Sequence, residues 1–215
     1  MKTKVRIIPA ILAKNSKDLK ERLKKAQKVS SYVHVDIMDR RFVHNKTINY
    51  ISFRGIRNLP KIEFHLMVRD PKEKIIKYIP YCDAILFHFE TTKDVFSVIR
   101  EVKKHNKKVG IVINPKTNIS VIFPYLTYLD KVLIMSVNPG RSGQKFISSA
   151  LTKIRKLKKI NKKIDICVDG GINNKNALKV IKAGANSLVL NSYLYNSSNL
   201  QKTYNKLKGE ISNVK

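Results

Sequence analysis

The chain has 215 residues, of which 43% are hydrophobic and 27% charged, a composition typical of a globular domain. Its 8 glycines and 7 prolines exclude a collagen-like protein, and its 2 cysteines exclude a disulfide scaffold and a cysteine-based zinc cluster. The 44 lysines and arginines against 15 acidic residues give a net charge of +29, which attracts anions. No apolar run approaches the roughly 18 residues of a membrane span, so we expect a cytoplasmic protein without a membrane partner.

Short β-branched segments alternate with longer segments of helical periodicity along the chain. The predicted strands are Val5–Leu12, Tyr32–Met38, Ile62–Val68, Ala84–His88, Val109–Ile113, Val132–Ser136, Ile164–Val168 and Ser187–Leu190. The predicted helices are Ser16–Ser30, Ile48–Leu59, Pro71–Tyr78, Lys93–His105, Ile119–Tyr125, Ser148–Asn161, Lys175–Ala183 and Leu200–Ser212. We expect helix caps at Ser16, at Asp70 followed by Pro71 in the first helical position, and at Gly184.

The alternation of strands and helices predicts a parallel sheet. Eight strand–helix units of about 27 residues each have room for a strand, a helix and two short loops. Eight units predict a closed (β/α)₈ barrel, the TIM barrel, with a doubly wound open sheet as the alternative. No linker or change of composition divides the sequence, so we expect a single barrel domain over residues 1–215.

Ionisable residues lie in three predicted strands at positions that point into the barrel. His34 and Asp36 share one face of the second strand because successive side chains alternate, and the third and seventh strands present His65 and Asp169. Active sites of such barrels lie at the carboxyl ends of the strands, so we expect these residues near one rim. Two imidazoles and two carboxylates can bind one divalent ion such as zinc, iron or manganese. For any one carboxylate, a hydrogen-bonded core residue is the alternative.

Glycine-rich segments follow the last three predicted strands. Gly140, Ser142 and Gly143 come after the sixth strand, Gly170 and Gly171 after the seventh, and Asn191 and Ser192 after the eighth. Glycines let backbone N–H groups approach an anion, and the loops after strands seven and eight commonly bind phosphate in these barrels. The segments therefore predict a phosphate site, with ordinary turn glycines as the alternative.

Ten sequence stretches together carry a specific resemblance in their order and spacing. They read PAIL, HVDIMD, RFVHN, FHLMVRDP, FHFE, GIVINP, VLIMSVNPG, GQKF, VDGG and AGANSLVLNS. The chain resembles the ribulose-phosphate 3-epimerase family over nearly its whole length. The resemblance implies a (β/α)₈ barrel and an enzyme of the pentose phosphate pathway that interconverts ribulose 5-phosphate and xylulose 5-phosphate. It also implies one divalent metal ion (Zn, Fe, Mn or Co) and a homo-oligomer.

The resemblance implies roles for individual residues. The family's metal ligands correspond to His34, Asp36, His65 and Asp169, and its acid/base pair corresponds to Asp36 and Asp169. Its methionine lining corresponds to Met38, Met67 and Met135. Its other substrate and phosphate contacts correspond to His65, Gly140, Arg141, Ser142, Gly143, Asp169, Gly170, Gly171, Asn191 and Ser192.

These roles fit the chemistry of epimerisation. The C3 proton lies α to the C2 ketone, and its removal leaves a cis-enediolate whose charge a metal can stabilise as a Lewis acid. Inversion at C3 needs a base on one face and an acid on the other, and Asp36 and Asp169 are expected from opposite sides of the ring. The apolar, polarisable methionines can cover the enediolate, although filling gaps in the core is an equally good interpretation.

Several positions depart from the family pattern. They are Ala10 in place of Ser, Arg40 in place of Gly, Arg141 and Ser142 in place of Phe-Gly, Cys167 in place of Glu, and Asn191 in place of Gly. None removes a metal ligand or the acid/base pair, so we expect an active enzyme.

Two other functions remain open at this stage. The protein can be an epimerase for a longer sugar such as allulose 6-phosphate, since Ala10 and Arg40 can reshape the sugar end of the pocket. It can also be a non-catalytic barrel that binds nucleic acid or another polyanion, as the charge suggests, although retention of all four ligands argues against this. Related decarboxylating barrels need an Asp-x-Lys-x-x-Asp motif, which the segment Asp36-Ile37-Met38-Asp39 lacks. We expect His88 to be a structural histidine.

Overall fold

Parallel strands form a closed ring in the computed structural model, which describes residues 5–212. Within these residues eight strands follow one another around the ring in chain order, and the last strand pairs with the first. They are β1 (Arg6–Ile11), β2 (Tyr32–Met38), β3 (Lys61–Met67), β4 (Ala84–His88), β5 (Lys108–Ile113), β6 (Lys131–Met135), β7 (Asp165–Asp169) and β8 (Ser187–Leu190). The prediction of a (β/α)₈ barrel is confirmed, and an open sheet is excluded because β1 pairs with β8.

Helices cover the outside of the ring and bury the outward face of each strand. They are α1 (Ser16–Gln27), α2 (Lys72–Tyr78), α3 (Val95–Lys104), α4 (Ala150–Ile160), α5 (Ala177–Lys182), α6 (Ser192–Tyr195) and α7 (Leu200–Ser212). Val33 and Val35 of β2 are fully buried in the apolar layer beneath the helices. The alternating side chains of His34 and Asp36 therefore point into the barrel.

The connection between β2 and β3 corrects the prediction of a helix over Ile48–Leu59. Only a 3₁₀ turn of 4 residues forms there, at Tyr50–Phe53. Gly55 and Asn58 follow it with φ of +72° and +56°, in the left-handed region. This backbone conformation cannot continue a right-handed helix, so the apolar periodicity of the segment does not become α-helix.

The connection between β5 and β6 also differs from the predicted helix over Ile119–Tyr125. The segment is a 3₁₀ helix of 10 residues, Ile119–Tyr128, that contains Pro124. Proline has no N–H to donate and its ring clashes with the preceding turn, which disfavours an α-helix here. The eighth strand–helix unit has one helix more than predicted, because both α6 and α7 follow β8.

The predicted helix caps are correct at one of three positions. Asn15 is the N-cap of α1, where its side chain accepts a backbone N–H of the first turn, and Ser16 is already helical. Pro71 occupies the cap position of α2, and Asp70 precedes it with a left-handed φ of +52°. Gly184 follows α5 with φ +119°, as predicted for a residue just after a helix.

The boundaries of the domain stay a prediction. Residues 1–4 and 213–215 of the predicted domain lie outside the described part of the chain. Across residues 5–212, no helix combines the length and the apolar character that crossing a bilayer requires.

Candidate active site

Four ionisable side chains meet inside the barrel near the carboxyl ends of three strands. β2 supplies His34 and Asp36, β3 supplies His65, and β7 supplies Asp169. The register of the sheet places Asp36 beside His65, so the first two strands bring their groups together directly. One ligand atom from each of the four residues lies within 4.8 Å of all the others. The structure thus brings together all four residues predicted as metal ligands.

The distances in this cluster indicate which atoms converge. Asp36 Oδ1 lies 3.3 Å from His34 Nε2 and 3.0 Å from His65 Nδ1. Asp169 Oδ2 lies 3.9 Å from the same His65 nitrogen. His34 Nε2 is buried without a hydrogen-bond partner among the described residues. A buried nitrogen facing carboxylate oxygens is the kind of atom that a cation satisfies.

A chain of contacts behind His65 favours a lone pair on the nitrogen that faces the cluster. His65 Nε2 lies 2.9 Å from His88 Nε2, and His88 Nδ1 lies 3.4 Å from Glu90 Oε2. A carboxylate only accepts, so it favours the proton on His88 Nδ1, and His65 Nε2–H then donates to His88. His65 Nδ1 is left with its lone pair toward Asp36, and two acceptors this close need a positive charge between them.

The pKa values of the two histidines fit this arrangement. Burial lowers the pKa of His65 to about 4, against the opposing effect of Asp36, so this imidazole is neutral as a metal ligand must be. Burial also lowers the pKa of His34, but its contacts with Asp36 and Glu63 outweigh burial and raise it to about 10. The cluster therefore favours a positive charge at His34, which a divalent cation can supply in place of a proton.

The two aspartates have opposite pKa shifts. Burial raises the pKa of Asp36, but its close contacts with the imidazoles of His34 and His65 outweigh burial and hold the pKa well below its usual range. Burial raises the pKa of Asp169 to about 7, and the nearby negative charge of Asp36 acts in the same direction. Two carboxyl groups whose environments separate their pKa values can serve as base and acid.

A cleft opens above this cluster at the carboxyl ends of the strands. Asp36 and Asp169 form part of its wall, whereas His34 and His65 are fully buried beneath it. The other predicted contacts on the wall are Met38, Met67, Met135, Gly140, Arg141, Ser142, Gly143, Gly170, Gly171, Asn191 and Ser192. Sequence reasoning missed Leu12, Val137 and Gln144, which line the same cleft. His65 alone among the predicted substrate contacts does not reach the cleft wall.

Left-handed glycines shape the part of the cleft that the loops after β6 and β7 form. Gly140, Gly143, Gly170 and Gly171 have φ values of +116°, +81°, +111° and +64°. A Cβ on Gly171 would lie 2.6 Å from the backbone nitrogen of Phe146. Glycine is therefore required where the β7 loop packs against the β6 loop, and the backbone there is positioned to approach an anion closely.

Two polar residues that sequence reasoning missed hold this region together. Ser136 is fully buried after β6, and its hydroxyl donates to the backbone oxygens of Asp169 and Gly170, at 2.9 and 2.6 Å. Asn45, in the β2–β3 connection, donates to the backbone oxygen of Gly140 at 2.5 Å. Both contacts join residues far apart in the sequence, so no local pattern indicated them.

The residues that depart from the family pattern occupy different environments. Ala10 is 1% exposed and packs in the barrel interior with Cys167, away from the cleft wall. Arg40 is exposed and has φ +63°, a left-handed backbone that glycine adopts without strain. Asn191 has φ −111°, so glycine's conformational freedom is not needed there.

A closed (β/α)₈ barrel with ionisable groups and glycine-rich loops at its carboxyl mouth defines the chain as a barrel enzyme. Comparison of the sequence with known protein families is more specific. The sequence model of the ribulose-phosphate 3 epimerase family matches residues 6–195. The chain belongs to the ribulose-phosphate 3-epimerase family, as the sequence motifs predicted.

Individual relatives agree with this assignment. Ribulose-phosphate 3-epimerase of Bacillus subtilis (strain 168) is 36% identical over 219 residues, which cover 95% of this chain and 99% of that protein. Ribulose-phosphate 3-epimerase of Aquifex aeolicus (strain VF5) is 37% identical over 184 residues, covering 82% of each. Among solved structures, 3-hexulose-6-phosphate synthase from Salmonella typhimurium has a TM-score of 0.71 at 15% identity over 98% of this chain and 100% of that chain, a likeness of fold alone.

Proposed function

We propose that the protein is a metal-dependent epimerase that interconverts D-ribulose 5-phosphate and D-xylulose 5-phosphate. Family membership supports this activity. The observation that carries the assignment of residues is the convergence of His34, Asp36, His65 and Asp169 within 4.8 Å beneath a cleft with glycine-rich loops. The substrate is a phosphorylated ketose, and the reaction moves the proton at C3.

The four converging residues would hold one divalent ion, which is Zn, Fe, Mn or Co. Two imidazole nitrogens and two carboxylates suit any of these metals. When bound, the ion supplies Lewis-acid stabilisation of the negative charge that develops on the substrate oxygens. The fit rests on His34 Nε2, which has no hydrogen-bond partner within residues 5–212, and on the opposed acceptor atoms of Asp36 and His65.

Asp36 and Asp169 would exchange the C3 proton. Asp36 approaches from β2 and Asp169 from β7, which are separated by β8 and β1 in the ring. The low pKa of Asp36 favours its carboxylate form, and the raised pKa of Asp169 favours a carboxyl group that still holds a proton near neutral pH. One aspartate would remove the proton from one face, and the other would return a proton to the opposite face.

The remaining wall of the cleft would bind the rest of the substrate. Met38, Met67 and Met135 line the same cleft as the aspartates and offer thioethers without exchangeable protons, so they would exclude water from the enediolate. The loops that contain Gly140–Gly143 and Gly170–Gly171, together with Asn191 and Ser192, would bind the phosphate through backbone N–H groups and the serine hydroxyl. We further propose a single-domain, homo-oligomeric, cytoplasmic enzyme.

Epimerisation assays on aspartate variants test the proposal. We expect metal-loaded Asp36→Asn and Asp169→Asn to lose activity by about 10²–10⁴-fold or more, because each removes one proton-transfer group. Asp39→Asn is the matched control, since Asp39 lies just after β2 but binds Lys74 instead of facing the cleft. Conversion of the two pentulose phosphates is followed for each protein. Full activity in either Asp36→Asn or Asp169→Asn would reject the assigned roles.

A further inference from the structure

A buried ion pair lies inside the barrel below the candidate metal cluster. Glu63 of β3 is 0% exposed, and its Oε2 accepts a hydrogen bond from the Lys131 ammonium of β6. The same oxygen accepts a hydrogen bond from the Tyr32 hydroxyl at 2.8 Å. The other oxygen, Oε1, lies 2.8 Å from His34 Nδ1. Glu63 thus connects a buried lysine to a residue of the cluster.

The contact between Glu63 and His34 decides which nitrogen of the imidazole carries a proton. A carboxylate only accepts hydrogen bonds, so His34 Nδ1 must donate to it. The other nitrogen, Nε2, faces Asp36 on the side where the four residues converge, so it is the nitrogen whose lone pair a cation would bind in place of a proton. The register of the sheet supports this contact because His34 and Glu63 are direct neighbours across β2 and β3.

Lys131 supplies the charge that makes a fully buried Glu63 tolerable. An unpaired carboxylate in the barrel interior is strongly disfavoured, so Glu63 needs a counter-charge. Lys131 is 6% exposed, and its ammonium also lies 3.7 Å from Asp165 Oδ2. The barrel leaves room for this side chain because Gly110 is its neighbour on β5. A Cβ on Gly110 would lie 3.3 Å from the Cβ of Lys131 and 2.9 Å from its backbone oxygen. Arg6 then pairs with Asp165 at the amino end of the barrel.

We propose that Glu63 is a positioning residue that fixes the orientation and tautomer of His34 as a metal ligand, with Lys131 as its counter-charge. The inference rests on the proposed function, since it assumes that His34 binds the ion. Partners that orient a metal-binding histidine typically change metal affinity by about 10–100-fold when they are removed. Glu63 therefore controls the cluster without touching the substrate.

Co²⁺ binding to the metal-free protein tests this role, by competition with a chromophoric chelator and by the visible spectrum of the bound ion. We expect Glu63→Gln to weaken Co²⁺ binding about 10–100-fold. Tyr32→Phe is the matched control because it removes a hydrogen bond to the other carboxylate oxygen, and we expect a change of less than about threefold. Wild-type protein that binds no Co²⁺ at the cluster would overturn the metal site and this inference together.

A double variant separates positioning from a purely structural role. Glu63→Gln and Lys131→Met each leave one buried partner unmatched, so each lowers the stability of the metal-free protein. The double variant, Glu63→Gln combined with Lys131→Met, removes both buried charges. We expect the stability of its metal-free form to recover while its Co²⁺ binding stays weak. Recovery of both together, or a Glu63→Gln variant that binds Co²⁺ as tightly as the wild type, would overturn the positioning role and leave the metal site intact.

Discussion

Arg40 has a backbone conformation that its side chain disfavours. Its φ of +63° places it in the left-handed region, and its side chain is exposed. This conformation costs a non-glycine residue about 1–2 kcal/mol, so we expect Arg40→Gly to raise the free energy of unfolding by about 1 kcal/mol. Urea denaturation measures the change. Asn106→Gly, at φ +56°, is the control and should gain less because asparagine tolerates this region. A neutral or destabilising Arg40→Gly contradicts the argument.

At the scale of single residues, the sequence indicated the polar side chains that share the inward face of a strand. It did not indicate the residues that hold those side chains and their loops in place through hydrogen bonds. His34 and Asp36 stood out because two polar residues share the inward face of an apolar strand. Ser136 gave no signal, since its role is a hydrogen bond to the backbone of a residue 33 positions away. Glu63 shares a face with His65, yet its contact with His34 depends on the pairing of two strands.

Asp39 organises the loop after β2 through its carboxylate. It accepts backbone N–H groups of Arg41 and Arg69 at 2.9 and 3.3 Å and pairs with Lys74 of α2. Burial raises the pKa of Asp39, but Lys74 and the backbone donors outweigh burial and lower it. A lowered pKa in the folded state means that the unfolded chain binds the proton more readily. The stabilisation is therefore complete above the unfolded pKa of about 3.9 and is lost as pH falls through the folded value.

Asp39→Asn tests this loop contact. At pH 7 we expect it to lower the free energy of unfolding by about 1 kcal/mol, in the range of partly exposed ion pairs. The difference from the wild type should shrink as the pH falls below about 4, where the native carboxylate also becomes protonated. Urea denaturation over this pH range measures the effect, with Lys74→Met as the partner variant. A loss in the free energy of unfolding that stays constant with pH contradicts an ionic contribution of Asp39 to stability.

At the scale of elements, strands were more predictable than the segments that connect them. The bounds of β2, β4 and β8 agree with the prediction, whereas two of the predicted connecting helices do not form as α-helices. The two predicted helices that do not form as α-helices lie where the chain carries apolar periodicity together with left-handed residues or Pro124. Periodicity reports which side chains face the core, but it does not distinguish an α-helix from a 3₁₀ segment that buries the same face.

At the scale of the whole molecule, closure of the ring brings β2 and β7 to one site. The sequence of a single strand does not indicate that the ring closes. The prediction of a closed barrel came from the number of strand–helix units and from the family resemblance. The four candidate ligands come from three strands, so a cation that binds them binds the folded barrel and not the unfolded chain. Binding of this kind shifts the folding equilibrium toward the native state by mass action.

Metal removal should therefore lower the melting temperature of the whole barrel. At an ion concentration of about 100 times Kd the stabilisation is about 2.7 kcal/mol, which for a chain of this size corresponds to about 5–10 °C in Tm. We expect Zn²⁺ or Mn²⁺ to raise the Tm of the metal-free protein and a chelator to reverse the rise. His34→Ala should lose the effect, whereas His105→Ala, which removes a histidine paired with Glu101 on α3, should keep it. An equal rise in His34→Ala would place the bound ion elsewhere on the protein, because only the cluster within the barrel contains His34.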